Sequence, residues 1–88
     1  MSLQLLCRYQ PTDRDAWRQV FDSDAEPRAR AGLTLLQLWN ETEGSGVWCL
    51  FEVADRDRAQ TWLDGPQYRQ ALAQAGVSAD SARFVRTA

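Results

Sequence analysis

The sequence predicts an α+β sandwich in which helices cover one face of an antiparallel four-stranded sheet. Three observations carry this prediction: apolar segments of strand length, longer segments with apolar residues at helical spacing, and their succession in the order β-α-β-β-α-β. A chain of 88 residues has the length of one domain, which buries roughly 60 to 65% of the surface of its unfolded form. We therefore expect a single domain over residues 1–88.

The first part of the chain predicts a strand followed by a helix. Residues 3–9, LQLLCRY, are mostly apolar and end shortly before Pro11, which cannot donate a hydrogen bond to a sheet. Thr12 precedes DRDAWRQVF, whose acidic first turn and apolar spacing predict a helix that Thr12 caps. We expect Pro27 to break this helix and Gly32 to end the helical segment.

The middle of the chain predicts a hairpin followed by a second helix. Residues 33–40 and 47–53 are its strands, and the connecting ETEGSG has glycines that tolerate the positive φ angles of a tight turn. Asp55 is expected to cap the second helix, which Gly65 and Pro66 interrupt.

The last strand is predicted over residues 81–87, SARFVRT, and it completes the order of a ferredoxin-like fold. The strands of that fold lie in the order 4, 1, 3, 2, so the first and third strands are neighbours. Cys7 and Cys49 then lie side by side, and we expect two buried reduced thiols rather than a disulfide.

The predicted sheet has apolar residues on both faces. In the register that pairs Cys7 with Cys49, one face is almost wholly apolar and forms the core. The other face mixes apolar and polar residues: Gln4, Leu6, Arg8, Leu35, Gln37, Trp39, Trp48, Leu50 and Glu52. Because soluble monomers rarely expose so much apolar surface, we expect a second subunit or a bound small molecule to cover this face. A second sheet is the simpler cover.

The composition excludes several classes of mechanism. The chain has no histidine, and all ten of its basic residues are arginine, so imidazole catalysis, the usual haem and zinc ligands and a Schiff-base lysine are excluded. We expect no metal and no cofactor. The net charge of −2 argues against general binding of nucleic acid. The sequence has neither a membrane-spanning apolar run nor a signal-peptide pattern, so we expect a cytoplasmic protein.

Five residues of the mixed face are candidates for binding a ligand: Arg8, Gln37, Trp39, Trp48 and Glu52. The two tryptophans can form an aromatic wall, although cross-strand packing at an interface explains them as well. Arg8 and Glu52 would be costly to bury alone, so we expect them to pair with each other, with a partner chain or with a ligand. Gln37 suits hydrogen bonding at an interface.

Three other features have simpler structural explanations. Trp17 and Trp62 lie at helical spacing with other apolar residues, and we assign them to core packing. Asn40 stands where a strand ends and is assigned to a turn. Residues 64–66, DGP, predict a kink in the second helix.

The segments DAWRQVFDSDAEPRARAGL, FEVADRDRAQTWL and DGPQYRQALAQAGV resemble the dimeric α+β barrel superfamily, particularly small bacterial proteins related to antibiotic biosynthesis monooxygenases, some of them cyclase-like. The resemblance spans almost the whole chain. It implies a homodimer whose sheets face each other, with a pocket in each subunit, often between sheet and helices. It also implies a small aromatic or polyketide-like ligand, and cofactor-independent oxygenation as one activity. That reaction uses Asn, Trp, Arg and Tyr side chains, and Asn40 and Tyr9 are further residues of these types.

Two alternatives remain. The chain could be a dimer without catalytic activity that binds a ligand or serves as an accessory subunit. The third strand, within GVWCLFEV, is also weakly similar to the aromatic strand of an RNA-recognition domain. The acidic balance of charge and the lack of an aromatic at the usual stacking position of the first strand argue against RNA.

Overall fold

The computed structural model describes residues 3–88 and contains four strands and four helices. In chain order these are β1 (Leu3–Pro11), α1 (Arg14–Ser23), α2 (Ala25–Arg30), β2 (Leu33–Asn40), β3 (Val47–Val53), α3 (Arg56–Asp64), α4 (Pro66–Gln74) and β4 (Val77–Arg86). The strands form an antiparallel sheet in the order β2-β3-β1-β4. The predicted ferredoxin-like α+β fold is therefore confirmed. No helix within residues 3–88 is long and apolar enough to cross a membrane.

The first helical segment differs from the prediction in its cap and its break. Asp13, not Thr12, caps α1, and its carboxylate accepts hydrogen bonds from the backbone N–H groups of Asp15 and Ala16. The break falls at Asp24, between α1 and α2. Pro27 lies in the first turn of α2, where proline is tolerated because those N–H groups have no partner within the helix.

The second helical segment follows the prediction more closely. Asp55 caps α3 by accepting a hydrogen bond from the backbone N–H of Arg58 at 3.1 Å. Gly65 separates α3 from α4, which begins at Pro66. Strand β4 starts at Val77, earlier than predicted.

Positive φ angles occur at Gly32 and Gly76 and at no other described residue, so the prediction that the glycines of the β2–β3 turn adopt them is wrong. Gly76 has φ of 68°, and a Cβ atom there would lie 2.8 Å from Oγ1 of Thr12. Glycine is therefore required where α4 turns into β4.

The register confirms that Cys7 pairs with Cys49 across β1 and β3. It departs from the prediction in β2, where the pairing shifts between Leu35 and Gln37. This β-bulge places Leu35 opposite the core residue Phe51, so Leu35 leaves the mixed face to which the sequence assigned it.

The helices cover one face of the sheet and form the core with it. Leu5, Cys7, Val47, Cys49 and Phe51 are completely buried there, and both cysteines are free thiols. We call the opposite side the open face. It consists of Gln4, Leu6, Arg8 and Gln10 of β1, Thr34, Gln37 and Trp39 of β2, Trp48, Leu50 and Glu52 of β3, and the alternate residues of β4 that pair with β1.

Candidate functional site

All five predicted ligand-binding residues lie on the open face. Trp48 is paired with Arg8 on one side and Trp39 on the other, so these three side chains form a row across three strands. Gln37 pairs with Leu50, and Glu52 lies two residues further along β3. Arg8 and Trp48 are half-buried, whereas Gln37, Trp39 and Glu52 are exposed.

The ionic partner of Arg8 is Glu41, and the predicted pairing with Glu52 is not formed. Arg8 Nε donates to Glu41 Oε2 at 2.9 Å, and Arg8 Nη2 donates to Glu41 Oε1 at 3.1 Å. Glu41 Oε2 also accepts the indole N–H of Trp48 at 2.7 Å. The sequence did contain a signal for Glu41, because it follows Trp39 by two residues and so continues the open-face alternation of β2.

Glu41 is held firmly in its charged form. Hydrogen bonds from Arg8 and then Trp48 lower the pKa of its carboxyl to about 2. The turn itself is held by Arg14 at the start of α1, whose Nη2 donates to the carbonyl oxygens of Glu41 at 2.9 Å and Gly44 at 2.6 Å. The polar atoms of this cluster are thus largely satisfied within the chain, which suits a structural role.

A small cavity lies on the other side of the sheet, between the sheet and the helices. Its volume is about 30 Å³, and its wall consists mainly of aromatic rings with one buried guanidinium: Tyr9, Trp17, Phe21, Arg28, Trp62 and Tyr68. The remaining residues of the wall are Val20, Asp24, Ala71, Leu72 and Ala75. None of the five predicted ligand-binding residues contributes to it.

The rings of the cavity wall pack against one another. Trp17 stacks on Phe21 with centroids 4.8 Å apart, and Trp62 packs against Tyr68 with centroids 4.4 Å apart. The sequence assigned Trp17 and Trp62 to core packing, which these contacts bear out for part of each ring. The helical spacing of the two tryptophans could not show that their rings also border a cavity, because the cavity depends on how the helices pack on the sheet.

The polar groups of the cavity are unevenly satisfied. The hydroxyl groups of Tyr9 and Tyr68 share a hydrogen bond of 3.0 Å, and burial raises the pKa of both. Arg28 is 8% exposed, donates from Nη1 to the carbonyl oxygen of Phe21 at 2.6 Å, and lies over the Phe21 ring at 3.8 Å. The indole N–H of Trp62 is buried and has no acceptor.

Two ionisable groups of the cavity are shifted mainly by burial. Desolvation lowers the pKa of Arg28, an effect that the negative charge of Asp24 opposes. Burial raises the pKa of Asp24, and the charge of Arg28 opposes that shift. Within residues 3–88 no group of three His, Cys, Asp or Glu side chains could hold a metal ion. The arrangement is therefore a cation and a carboxyl at the edge of an aromatic cavity.

Comparison with known proteins gives a family and a fold. The family model of a domain of unknown function (DUF3303) matches residues 1–73, while no curated protein matches the chain. Among solved structures, SnoaB, a cofactor-independent oxygenase from Streptomyces nogalater, is similar at 15% identity and a TM-score of 0.76, over 99% of this chain and 93% of that one. Rv0793 from Mycobacterium tuberculosis is 18% identical, with a TM-score of 0.67 over 100% and 96% of the two chains.

A NIPSNAP family protein of unknown function from Agrobacterium tumefaciens is also similar, at 11% identity and a TM-score of 0.71 over 99% of this chain and 88% of that one. At these identities the likenesses establish the fold. The predicted resemblance to the dimeric α+β barrel superfamily is therefore confirmed at the level of the fold.

Proposed function

Because the chain belongs to the DUF3303 family, whose function is unknown, we propose a function from its geometry: it is a one-domain, homodimeric protein that binds a small aromatic, polyketide-like molecule in the cavity of each subunit. The observation that carries this proposal is the aromatic wall with a buried guanidinium at its edge. Ligand pockets typically combine mostly apolar walls with a few polar groups that orient the ligand, and this cavity has that composition.

The ligand site is tested by filling the cavity. Ala71 lines it, whereas Ala73 is exposed on the same helix, so Ala71→Phe and Ala73→Phe form a matched pair. Binding of 2-naphthol, 2-naphthoate and anthrone is measured by calorimetry. We expect at least one of them to bind the wild type and the Ala73→Phe protein but not the Ala71→Phe protein. Equal binding by the two variants would show that the ligand does not bind in the cavity.

The homodimer is supported by the open face. Leu6, Trp48 and Leu50 are only half-buried in the single chain, and Trp39 is 45% exposed. Monomeric proteins rarely leave such a patch uncovered, and a second copy of the same sheet offers matching apolar and polar groups. In this proposal Arg8, Gln37, Trp39, Trp48 and Glu52 lie between the subunits. The free thiols of the core suit a reducing cytoplasm.

Sedimentation equilibrium tests the dimer. The expected mass is twice 10.0 kDa. Leu50→Glu should give the monomer, because a buried, unpaired carboxylate at the interface costs roughly 3 kcal/mol and weakens association by about a hundredfold or more. Gln70→Glu adds the same charge at an exposed position of α4 and should leave the dimer intact. A wild-type mass of 10.0 kDa at high protein concentration would refute the homodimer.

A second candidate function is cofactor-independent oxygenation, which one pair of residues favours. Asp24, whose pKa is raised by burial, stands on the cavity wall with Arg28, so a carboxylate base and a cation for the resulting anion are both present. Anthrone is a suitable probe. Its methylene carbon loses two hydrogens and becomes a carbonyl, while the second oxygen atom of O₂ leaves as water.

Oxygen consumption by purified protein with anthrone tests this candidate. We expect turnover above background that falls in Asp24→Asn and is retained in Asp22→Asn, an exposed carboxylate in the last turn of α1. Background rates with a panel of anthrones, together with ligand binding in the cavity, would identify a binding protein without oxygenase activity.

A further inference from the structure

The cavity contains a positive charge that the chain does not fully neutralise. Arg28 is 8% exposed, and no carboxylate of residues 3–88 forms an ion pair with it. Asp24 and, with a smaller effect, Asp22 act on it through space, and the Phe21 carbonyl and the rings of Phe21 and Phe51 also lie near it. A guanidinium has several N–H groups that can donate hydrogen bonds, and a buried charge without a close counter-ion costs free energy. An anion in the cavity would remove that cost.

The same cavity contains a second unused donor. The indole N–H of Trp62 is the one buried side-chain polar atom of the described chain that lacks a hydrogen-bond partner. Buried polar groups in native proteins nearly always have partners, so an orphaned donor that borders a cavity indicates a missing acceptor. A carboxylate has two oxygen atoms and can accept from a guanidinium and an indole N–H together.

Trp62 lines both the cavity and a groove on the surface. The groove has a volume of about 390 Å³ and lies between α2 and α3. Arg30 and Arg58 border this groove, with Asp57 as its acidic residue. The cavity of about 30 Å³ is well below the roughly 150 Å³ that accommodates benzene in an apolar protein interior. A ligand must therefore displace part of the wall, and Trp62 is the residue that the wall of the cavity shares with the groove.

We propose that the cavity binds an aromatic carboxylate, which enters from the α2–α3 groove past Trp62 and places its carboxylate on the Arg28 guanidinium and the Trp62 indole N–H. The inference rests on the proposed ligand-binding function and adds the chemical class of the ligand. The rings of Trp17, Phe21 and Tyr68 supply the stacking surface for the aromatic part. Asp24 is the opposing charge on the wall, and its repulsion limits the affinity.

The test compares 2-naphthoate with its neutral isostere 2-naphthamide by calorimetry at pH 7, where the carboxylate is ionised. We expect the wild type to bind naphthoate roughly tenfold or more tightly than naphthamide, in keeping with a hydrogen-bonded charge. Arg28→Met keeps much of the side-chain volume and should abolish the preference for naphthoate over naphthamide. Arg18→Met, at an exposed position of α1, should retain that preference. Asp24→Asn should tighten naphthoate without changing naphthamide.

Trp62→Phe keeps an aromatic wall and removes the N–H, so it should weaken naphthoate roughly threefold to tenfold and naphthamide less, because an uncharged amide oxygen forms the weaker hydrogen bond. This variant and the wild-type comparison decide the matter even if Arg28→Met fails to fold. Equal affinity for naphthoate and naphthamide in the wild type would reject the proposal that the ligand is a carboxylate, but it would be consistent with the proposed ligand-binding function. Binding of neither probe, nor of 2-naphthol or anthrone, would reject both.

Discussion

The two faces of the sheet come from the same strands, yet they are buried by different means. On the helix-covered face, Leu5, Cys7 and Phe51 are completely buried by elements of their own chain. On the open face, Leu50 is half-buried and Trp39 is 45% exposed. The alternation of strand residues therefore shows which side chains share a face, but it does not show what covers them. The following substitutions compare the two faces, beginning with the largest expected effect.

Phe51→Ala and Leu50→Ala place the same truncation on neighbouring residues of opposite faces. Phe51 is completely buried, so its loss should reduce the free energy of unfolding by roughly 3–5 kcal/mol. Leu50→Ala should cost roughly 1 kcal/mol or less in the monomer, and more where the proposed dimer is populated. Urea unfolding at low and high protein concentration measures both effects. Equal losses at both positions and both concentrations would contradict the difference between the faces.

The helix-covered face contains a buried polar pair that can be tested by a double-mutant cycle. Tyr9→Phe removes one hydroxyl and leaves the hydroxyl of Tyr68 buried without its partner, at a cost of roughly 1–3 kcal/mol in the free energy of unfolding. Tyr9→Phe with Tyr68→Phe should cost much less than the two single changes added together. Thermal or urea unfolding of the four proteins provides the coupling energy, and additive losses would show that the pair contributes little.

The ion pair between Arg8 and Glu41 on the open face should make the free energy of unfolding depend on pH in the acidic range. Because Glu41 has a pKa of about 2 in the folded chain against an ordinary 4.5, its ion pair stabilises the fold above about pH 4.5. That contribution should disappear as the pH falls from 4.5 towards 2. Glu41→Gln should therefore flatten this part of the profile of unfolding free energy against pH. Glu43→Gln changes the same charge at an exposed position of the turn and should leave the profile unchanged.

The smallest expected effect concerns the two thiols of the helix-covered face. Burial raises the pKa of Cys7 to about 11 and that of Cys49 to about 12, so both stay protonated near pH 8. Iodoacetamide should modify neither cysteine of the folded protein over the time that suffices for the protein in urea. Because the two residues pair across β1 and β3, mass spectrometry should show them reacting together. Rapid modification of either would show that this face opens locally.

Much of the fold follows from local pattern. Both strands of the hairpin begin and end where the sequence predicted, and the neighbouring positions of Cys7 and Cys49 follow from the order of elements. The bulge after Leu35 could not be predicted, because an inserted residue leaves the apolar composition of β2 unchanged. The cap at Asp13 was missed because Thr and Asp have similar capping preferences.

The candidate site was less accessible to sequence reasoning. Arg8 was correctly identified as needing a partner, but the predicted partners were Glu52, a partner chain or a ligand; Glu41 was missed because it lies in a turn, where side chains are usually solvent-exposed. Trp62 has the spacing of a core residue, and only three-dimensional packing shows that its N–H is unpartnered and that it lines both the cavity and the groove. Periodicity identifies buried faces, whereas cavities arise where two such faces fit imperfectly.

The position of β1 in the sheet has a consequence for how the protein is made. Leu5 pairs with Phe51 on one side and with Phe84 on the other, so β1 is synthesised before both of the strands with which it pairs. The β2–β3 hairpin can form early, but β1 remains an unpaired apolar strand until β3 emerges, and its second edge remains open until β4 is complete. Such long-range pairing slows folding, and it leaves an apolar strand exposed to aggregation until the later strands are in place.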